Sequence, residues 1–161
     1  MKFSPSSLAK NRKLLVYFKL LIMEIIAYVN IAMLTTIGLV HYYWGFGGQL
    51  GFMASLPEEH GEKIFIPDKK QILTVATLLS LLSLVHLCYI GILIVPYCVL
   101  IGKYGVLALA GIFGLRAIGD FKYVGFSKRV KDGLFSKNDT RIFSPICLLI
   151  SASNIFLFYY R

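Results

Sequence analysis

The sequence predicts an all-α integral membrane bundle of about four transmembrane helices, and three observations carry that prediction. Of the 161 residues, 57% are hydrophobic and only 16% are charged, with a mean hydropathy of +0.72, whereas about a quarter of residues are charged in soluble domains. Several apolar stretches reach the ~20 residues needed to cross a hydrocarbon core of about 30 Å. The basic residues, which give a formal net charge of +9, sit mostly at the ends of those stretches. That placement makes anionic membrane lipids the expected partner and argues against nucleic acid, which the same charge on a soluble domain would suggest. Residues 1–161 are expected to form a single membrane domain.

Taken in order, residues 1–19 hold Lys2, Lys10, Arg12, Lys13 and Lys19 and no acid, a basic arm suited to an anionic cytoplasmic leaflet. A first span is expected over 20–40. It is longer than the apolar region of a secretory signal and no small-residue cleavage site follows, so it reads as a retained anchor. In the loop 41–70, which opens HYYWGFGGQLG, Tyr42, Tyr43 and Trp44 suit an interfacial aromatic belt, and Gly45, Gly47, Gly48 and Gly51 break a helix. Composition leaves open whether this loop is a structured or a flexible cap.

Asp68 and Gln71 have the spacing of a capping box, in which the carboxylate accepts free N–H groups of the first turn, and they open a second span over 71–93. Pro96 and Gly102 predict a short turn before a third span over 103–121. The loop 122–144 is polar and basic. Ser144-Pro145 then reads as an N-cap followed by a proline at the first helical position of a fourth span, 145–160. Sixteen residues rise only about 24 Å, so either an earlier start, near Arg141, or an adapted bilayer is expected. Four spans return both termini to one side, and the basic arm assigns that side to the cytoplasm. The loop counts pull the other way, with three Lys and Arg in 41–70 and six in 122–144; the first helix is taken to dominate.

Ionisable groups inside spans are costly and need a partner or water. Tyr17, Glu24, Tyr28 and Thr35 fall on one stripe of the first span, which should face the bundle. Glu24 is either a proton- or cation-carrying carboxylate or an acid paired with a lysine such as Lys19, the second being preferred. His86, on a face with Ser83 and Tyr89, is either a proton relay or ligand or, by preference, a histidine bonded to a neighbouring helix. Arg116 and Asp120, four residues apart, are expected to pair on one helix face. That pair either neutralises itself at the membrane boundary, the favoured reading, or holds Arg116 ready for an anion such as a lipid phosphate. Gly105, Gly111, Gly114 and Gly119 should let another helix approach the third span closely.

No cofactor, metal or catalytic residue is predicted. Cys88, Cys98 and Cys147 lie in apolar segments without CxxC spacing and read as structural thiols. Nothing fixes His41, Glu58, Glu59 and His60 as a metal set. GFGGQLG lacks the glycine spacing of a dinucleotide loop, and no nucleophile has a paired base.

Two blocks, HYYWGFGGQLG with a following Leu56-Pro57, and RAIGDFKYVGFSKR continuing through LFSKNDTRIFSP, resemble a bacterial family of small four-span membrane proteins designated domain of unknown function 3995. The resemblance extends from about residue 25 onward. The matching positions are His41, Trp44, Gly47, Gly48, Pro57, Arg116, Gly119, Asp120, Gly125, Phe126, Asp139, Arg141 and Pro145. It implies a multi-pass protein of a bacterial cell membrane and transfers no activity. With the N-terminus inside, both loops lie outside, where they are expected to meet. Three roles follow: a polar pocket of Arg116, Asp120, Asp139 and Arg141 with His41, Trp44, Gly47 and Gly48 that binds or transports an anionic lipid or small molecule; a structural block whose Gly-rich third span docks a membrane partner or a second copy; or an enzyme acting on a lipid or quinone with His41 or His86 as base. The enzyme ranks last, because neither histidine has an acid partner in the sequence.

Overall fold

In lipid, apolarity does not decide which face of a helix turns inward, since hydrocarbon is as apolar as leucine; small and hydrogen-bonding side chains do. A computed structural model describes residues 5–93 and 95–160, with side chains from Asn11 onward. Its first helix, α1 (Pro5–Gly45), follows that rule. Ala27, Asn30, Leu34 and Gly38 are buried, and a Cβ at Gly38 would lie 3.5 Å from the Ala76 carbonyl of the neighbouring helix. The stripe Tyr17, Glu24, Tyr28 and Thr35, expected to face the bundle, is exposed instead. Tyrosines on the inner face would hold α1 away from the helix that Gly38 admits.

At 41 residues, α1 is about 61 Å long, twice the hydrocarbon core. The basic arm is therefore largely a helical extension of the first span, beginning at Pro5, and Asn11 to Leu20 are exposed throughout. Lys2 and the side chain of Lys10 lie outside the described residues.

The second helix, α2 (Lys69–Tyr89), opens on the expected capping box: Gln71 N–H donates to Asp68 Oδ1 at 2.8 Å, and Asp68 N–H donates to Gln71 Oε1 at 2.9 Å. It closes on a Schellman motif, with Ile92 N–H on the Leu87 carbonyl (3.0 Å), Gly91 N–H on that of Cys88 (3.3 Å), and Gly91 at φ +77°. The span thus stops before the expected Leu93. The third helix, α3 (Cys98–Ile118), begins before the expected Lys103, so Gly102 lies buried inside it rather than in the turn. It ends short of Phe121, because Gly119 leaves the helical region at φ +95°.

The fourth span starts earlier than Arg141. A short helix α4 (Gly133–Asn138), a π turn at Asp139–Phe143 and a helix α5 (Ser144–Tyr160) run on as one 28-residue stretch. Ser144 is consequently not an N-cap: it is buried, with helical φ −66° and ψ −41°, and its N–H reaches back to the Asp139 carbonyl. The wide turn brings the ladder to Pro145, which has no N–H to continue it.

Among the described residues four helices, α1, α2, α3 and the α4–α5 stretch, are long and apolar enough to cross a membrane. Two core layers join them, one around Leu34, Leu79, Leu109, Phe113 and Ile150, the other around Met23, Ala27, Tyr89, Val106 and Leu157. Of the glycines expected to thin the third span, Gly105 admits Val85 (2.4 Å from a Cβ placed there) and Gly114 admits Ser151 (3.0 Å), whereas Gly111 faces open space. Hydrogen bonds cross between helices: His86 Nε2–H to Asn154 Oδ1 (3.0 Å), Tyr89 Oη–H to the Leu157 carbonyl (2.9 Å), Ser153 Oγ–H to Asn30 Oδ1 (3.0 Å) and Ser151 Oγ–H to the Ala110 carbonyl (2.7 Å).

Candidate functional site

The site grows from the way α3 stops. Past Ile118 the chain turns back on itself, and Phe126 N–H (2.9 Å) and Ser127 N–H (3.2 Å) cap the Ala117 and Ile118 carbonyls that the helix leaves open. The two backbones cross at Gly119 and Gly125. A Cβ at Gly119 would lie 1.7 Å from the Val124 carbonyl oxygen, and one at Gly125 would lie 2.3 Å from that of Ile118. Only glycine permits this crossing, and both glycines also have positive φ.

Asp120 therefore lies beyond the helix, and the expected Arg116–Asp120 pair does not form. Asp120 Oδ1 instead accepts the backbone N–H groups of Lys122 (2.9 Å), Tyr123 (2.7 Å) and Val124 (2.8 Å), folding the tight loop around one carboxylate. Partial burial raises its pKa, and the three N–H donors outweigh that and leave it below its ordinary value.

Arg116 reaches across to Asp139, Nη2 to Oδ1, at 2.9 Å. Asp139 is fully buried, and its Oδ2 accepts from Lys128 Nζ (2.9 Å) and Gly125 N–H (2.8 Å). The π turn makes this possible: Ser144 lies five positions after Asp139, and both face inward while Thr140 and Arg141 stay exposed. Lys128 is itself buried and uses all three of its donors, the others going to the Gly125 carbonyl (3.1 Å) and Thr140 Oγ1 (2.6 Å). One carboxylate thus fixes α3, the crossing loop and the last helix together.

The first loop braces this assembly. It forms a 3₁₀ turn, Met53–Ser55, and a hairpin of β1 (Glu58–Glu59) and β2 (Glu62–Lys63), so it is a structured cap. Glu58 pairs with Lys63 (2.6 Å) and caps α4 by accepting Leu134 N–H (2.6 Å); the lysine first, and the N–H after it, hold its pKa below the ordinary carboxylate value. Tyr123 Oη–H donates to Glu59 (2.7 Å), and Asn138 Nδ2–H to the Ala54 carbonyl (3.4 Å). The two loops meet, as the sequence led one to expect.

The family model described as a protein of unknown function (DUF3995) matches residues 34–154, which contain every residue of this assembly. The chain belongs to that family. No curated protein and no solved structure matches it. The glycines, aspartates and arginine of the second DUF3995 block thus have a local reason: Gly119 and Gly125 for the crossing, Asp120 for the turn, Arg116 and Asp139 for the buried ion pair.

Beside this assembly lies an open cavity of about 340 Å³. Among the described residues, four cations line it, Lys128, Lys131, Lys137 and Arg141, with Ser136, Thr140 and Phe126, and no acid. Among the described residues, the side chains of Lys131, Lys137 and Arg141 make no hydrogen bond or ion pair, and all three are exposed. Of the sequence candidates only Arg141 lines this cavity. His41 donates from Nδ1 to the Ile37 carbonyl (2.8 Å) and packs edge-on to Trp44 (5.1 Å), whose Nε1–H holds the Leu50 carbonyl (2.9 Å). Gly47 turns the chain at φ +98°, and Gly48 passes so close to the Tyr43 ring that a Cβ would meet it at 2.3 Å. These four shape the first loop.

Glu24 is exposed, with no ion pair to Lys19 among the described residues, and His86 is buried against Asn154. Sequence reading missed Lys131 and Lys137 as site residues, although the six-cation count of their loop was the available signal. It also missed Lys128, which no spacing ties to Asp139.

Proposed function

We propose that this protein is an anion-binding membrane protein, whose cavity at Lys131, Lys137 and Arg141 receives an anionic lipid or an anionic small molecule at the membrane surface. The observation that carries the reading is three cations that have no acid partner among the described residues, around one open cavity. An anion in the cavity is attracted by all three at once. Arg116, the alternative anion receiver read from the sequence, has a structural duty to Asp139 in this reading. The setting is a bacterial cell membrane, crossed four times with both termini in the cytoplasm, so the cavity opens outside. A cysteine replacing Lys131 should then react with an impermeant thiol reagent on intact cells.

Native mass spectrometry of detergent-released protein tests the binding. A bound anionic species should be present in the wild type and absent from the Lys137→Gln/Arg141→Gln variant at unchanged thermal stability. Equal occupancy of both proteins would reject the reading. A structural or partner-binding role, with a membrane protein or a second copy as partner, draws on a different observation: Asp139, Lys128 and Gly125 satisfy one another, which is what a folding motif requires. On that reading no specific anion copurifies with either protein.

A further inference from the structure

The anion-binding reading leaves open which anion the cavity takes and where it comes from, and the following inference rests on that reading. We propose that the cavity takes the terminal phosphate of a membrane lipid, a phosphomonoester or diphosphate headgroup, with the lipid chains lying along the exposed face of α5.

Charge selects the headgroup. Lys128 lines the cavity, but its three N–H donors are already held by Gly125, Asp139 and Thr140, so the ligand meets the positive charge of Lys131, Lys137 and Arg141. A phosphodiester brings one negative charge and two free oxygens. A terminal phosphate brings about −1.5 to −2 at neutral pH and three strong acceptor oxygens, one for each separate donor group. The Arg141 fork suits two such oxygens at once.

The helix selects the source. Arg141 lies on the exposed side of a helical stretch that continues without a break into Leu148, Leu149, Ala152 and Ile155, all exposed. From Arg141 to Ile155 the rise is about 21 Å, more than the ~15 Å depth of one leaflet's hydrocarbon. Phe126, 49% exposed, adds an apolar wall at the cavity itself. A headgroup held here has an apolar track beneath it for its chains, a continuity with the bilayer that a free anion would not use.

The test uses the full chain in phosphatidylcholine nanodiscs doped with dioleoyl phosphatidic acid or dioleoyl phosphatidylglycerol, with the lipid retained after extraction counted by mass spectrometry. Phosphatidic acid should be retained about tenfold better, the effect of one further charge-assisted contact. The Lys137→Gln/Arg141→Gln variant should lose that preference at unchanged thermal stability, and Lys131→Gln should weaken it. Millimolar inorganic phosphate should not displace the lipid.

Equal retention of the two lipids, lost in the double variant, overturns the headgroup class and leaves anion binding standing. Displacement by inorganic phosphate overturns the lipid source and also leaves anion binding standing. Retention unchanged in both variants overturns this inference and the reading beneath it together.

Discussion

Both ends of the bundle carry exposed cations, but among the described residues the loop end also buries charge. At the loop end, Asp139 is fully buried and the Lys128 side chain is 3% exposed, with Arg116 closing the group from α3. At the other end the described cations stay at the surface, and two of them face aromatic rings: Lys19 lies 5.6 Å from the Tyr160 centroid and Lys103 lies 5.8 Å from that of Tyr104. Burying an ion pair costs desolvation that only near-complete hydrogen bonding offsets, so it suits a place where geometry must be fixed. A long lysine stem lets charge reach the headgroups while its carbons stay in lipid, with no geometry fixed at all. The difference marks the loop end as the end built to hold a shape.

The sharpest way to break that comparison is Asp139→Asn, which leaves Arg116 and Lys128 facing each other without a counter-charge. Its cost should be about 3–5 kcal/mol, as for buried pairs that lose one partner, measured as a fall in unfolding free energy in detergent. A loss below about 1 kcal/mol would mean that the buried group is no more structural than a surface pair.

Asp120→Ala should cost less, about 0.5–2 kcal/mol, the range for losing a side chain that caps free N–H groups. Its pH dependence has a definite sign. The folded pKa lies below the ordinary 3.8, so the carboxylate contributes its full stabilisation above that value and loses it as pH falls through the lower, folded one. The stability gap between wild type and Asp120→Ala should therefore be constant near neutrality and narrow in acid. A gap that widens in acid would show that the neutral acid, not the carboxylate, organises the turn.

How far the sequence reveals these features depends on the range of the interaction. The capping box at Asp68 and Gln71 was legible because both partners lie within one turn. The four spans were legible because length and apolarity are local sums. Arg116 was assigned to Asp120 by the same local logic, and failed because Gly119, directly before the acid, ends the helix first. The true partner lies 23 residues away and faces inward only through a π turn, which leaves no simple mark in Asp-Thr-Arg. The inner face of α1 was misjudged for a related reason. Polarity drew attention to Glu24 and Tyr28, whereas close packing in lipid selects Ala27, Asn30 and Gly38. Of the cavity, Arg141 was recognised through the family block, and the lysines beside it were visible only as a charge count.

The smallest expected effect belongs to the far end. Lys103→Gln removes a cation whose described contact is the ring of Tyr104, and exposed contacts of that kind contribute only about 0.5–1 kcal/mol. Glutamine keeps most of the stem and still reaches the interface, so the unfolding free energy should move by about 0.5 kcal/mol or less. A loss of about 2 kcal/mol or more would require a charge partner for Lys103 in the membrane, such as bound anionic lipid. That result would make both ends of the bundle sites of fixed charge. Exposure on the isolated chain would then no longer separate a cation that holds the fold from one that merely borders the bilayer.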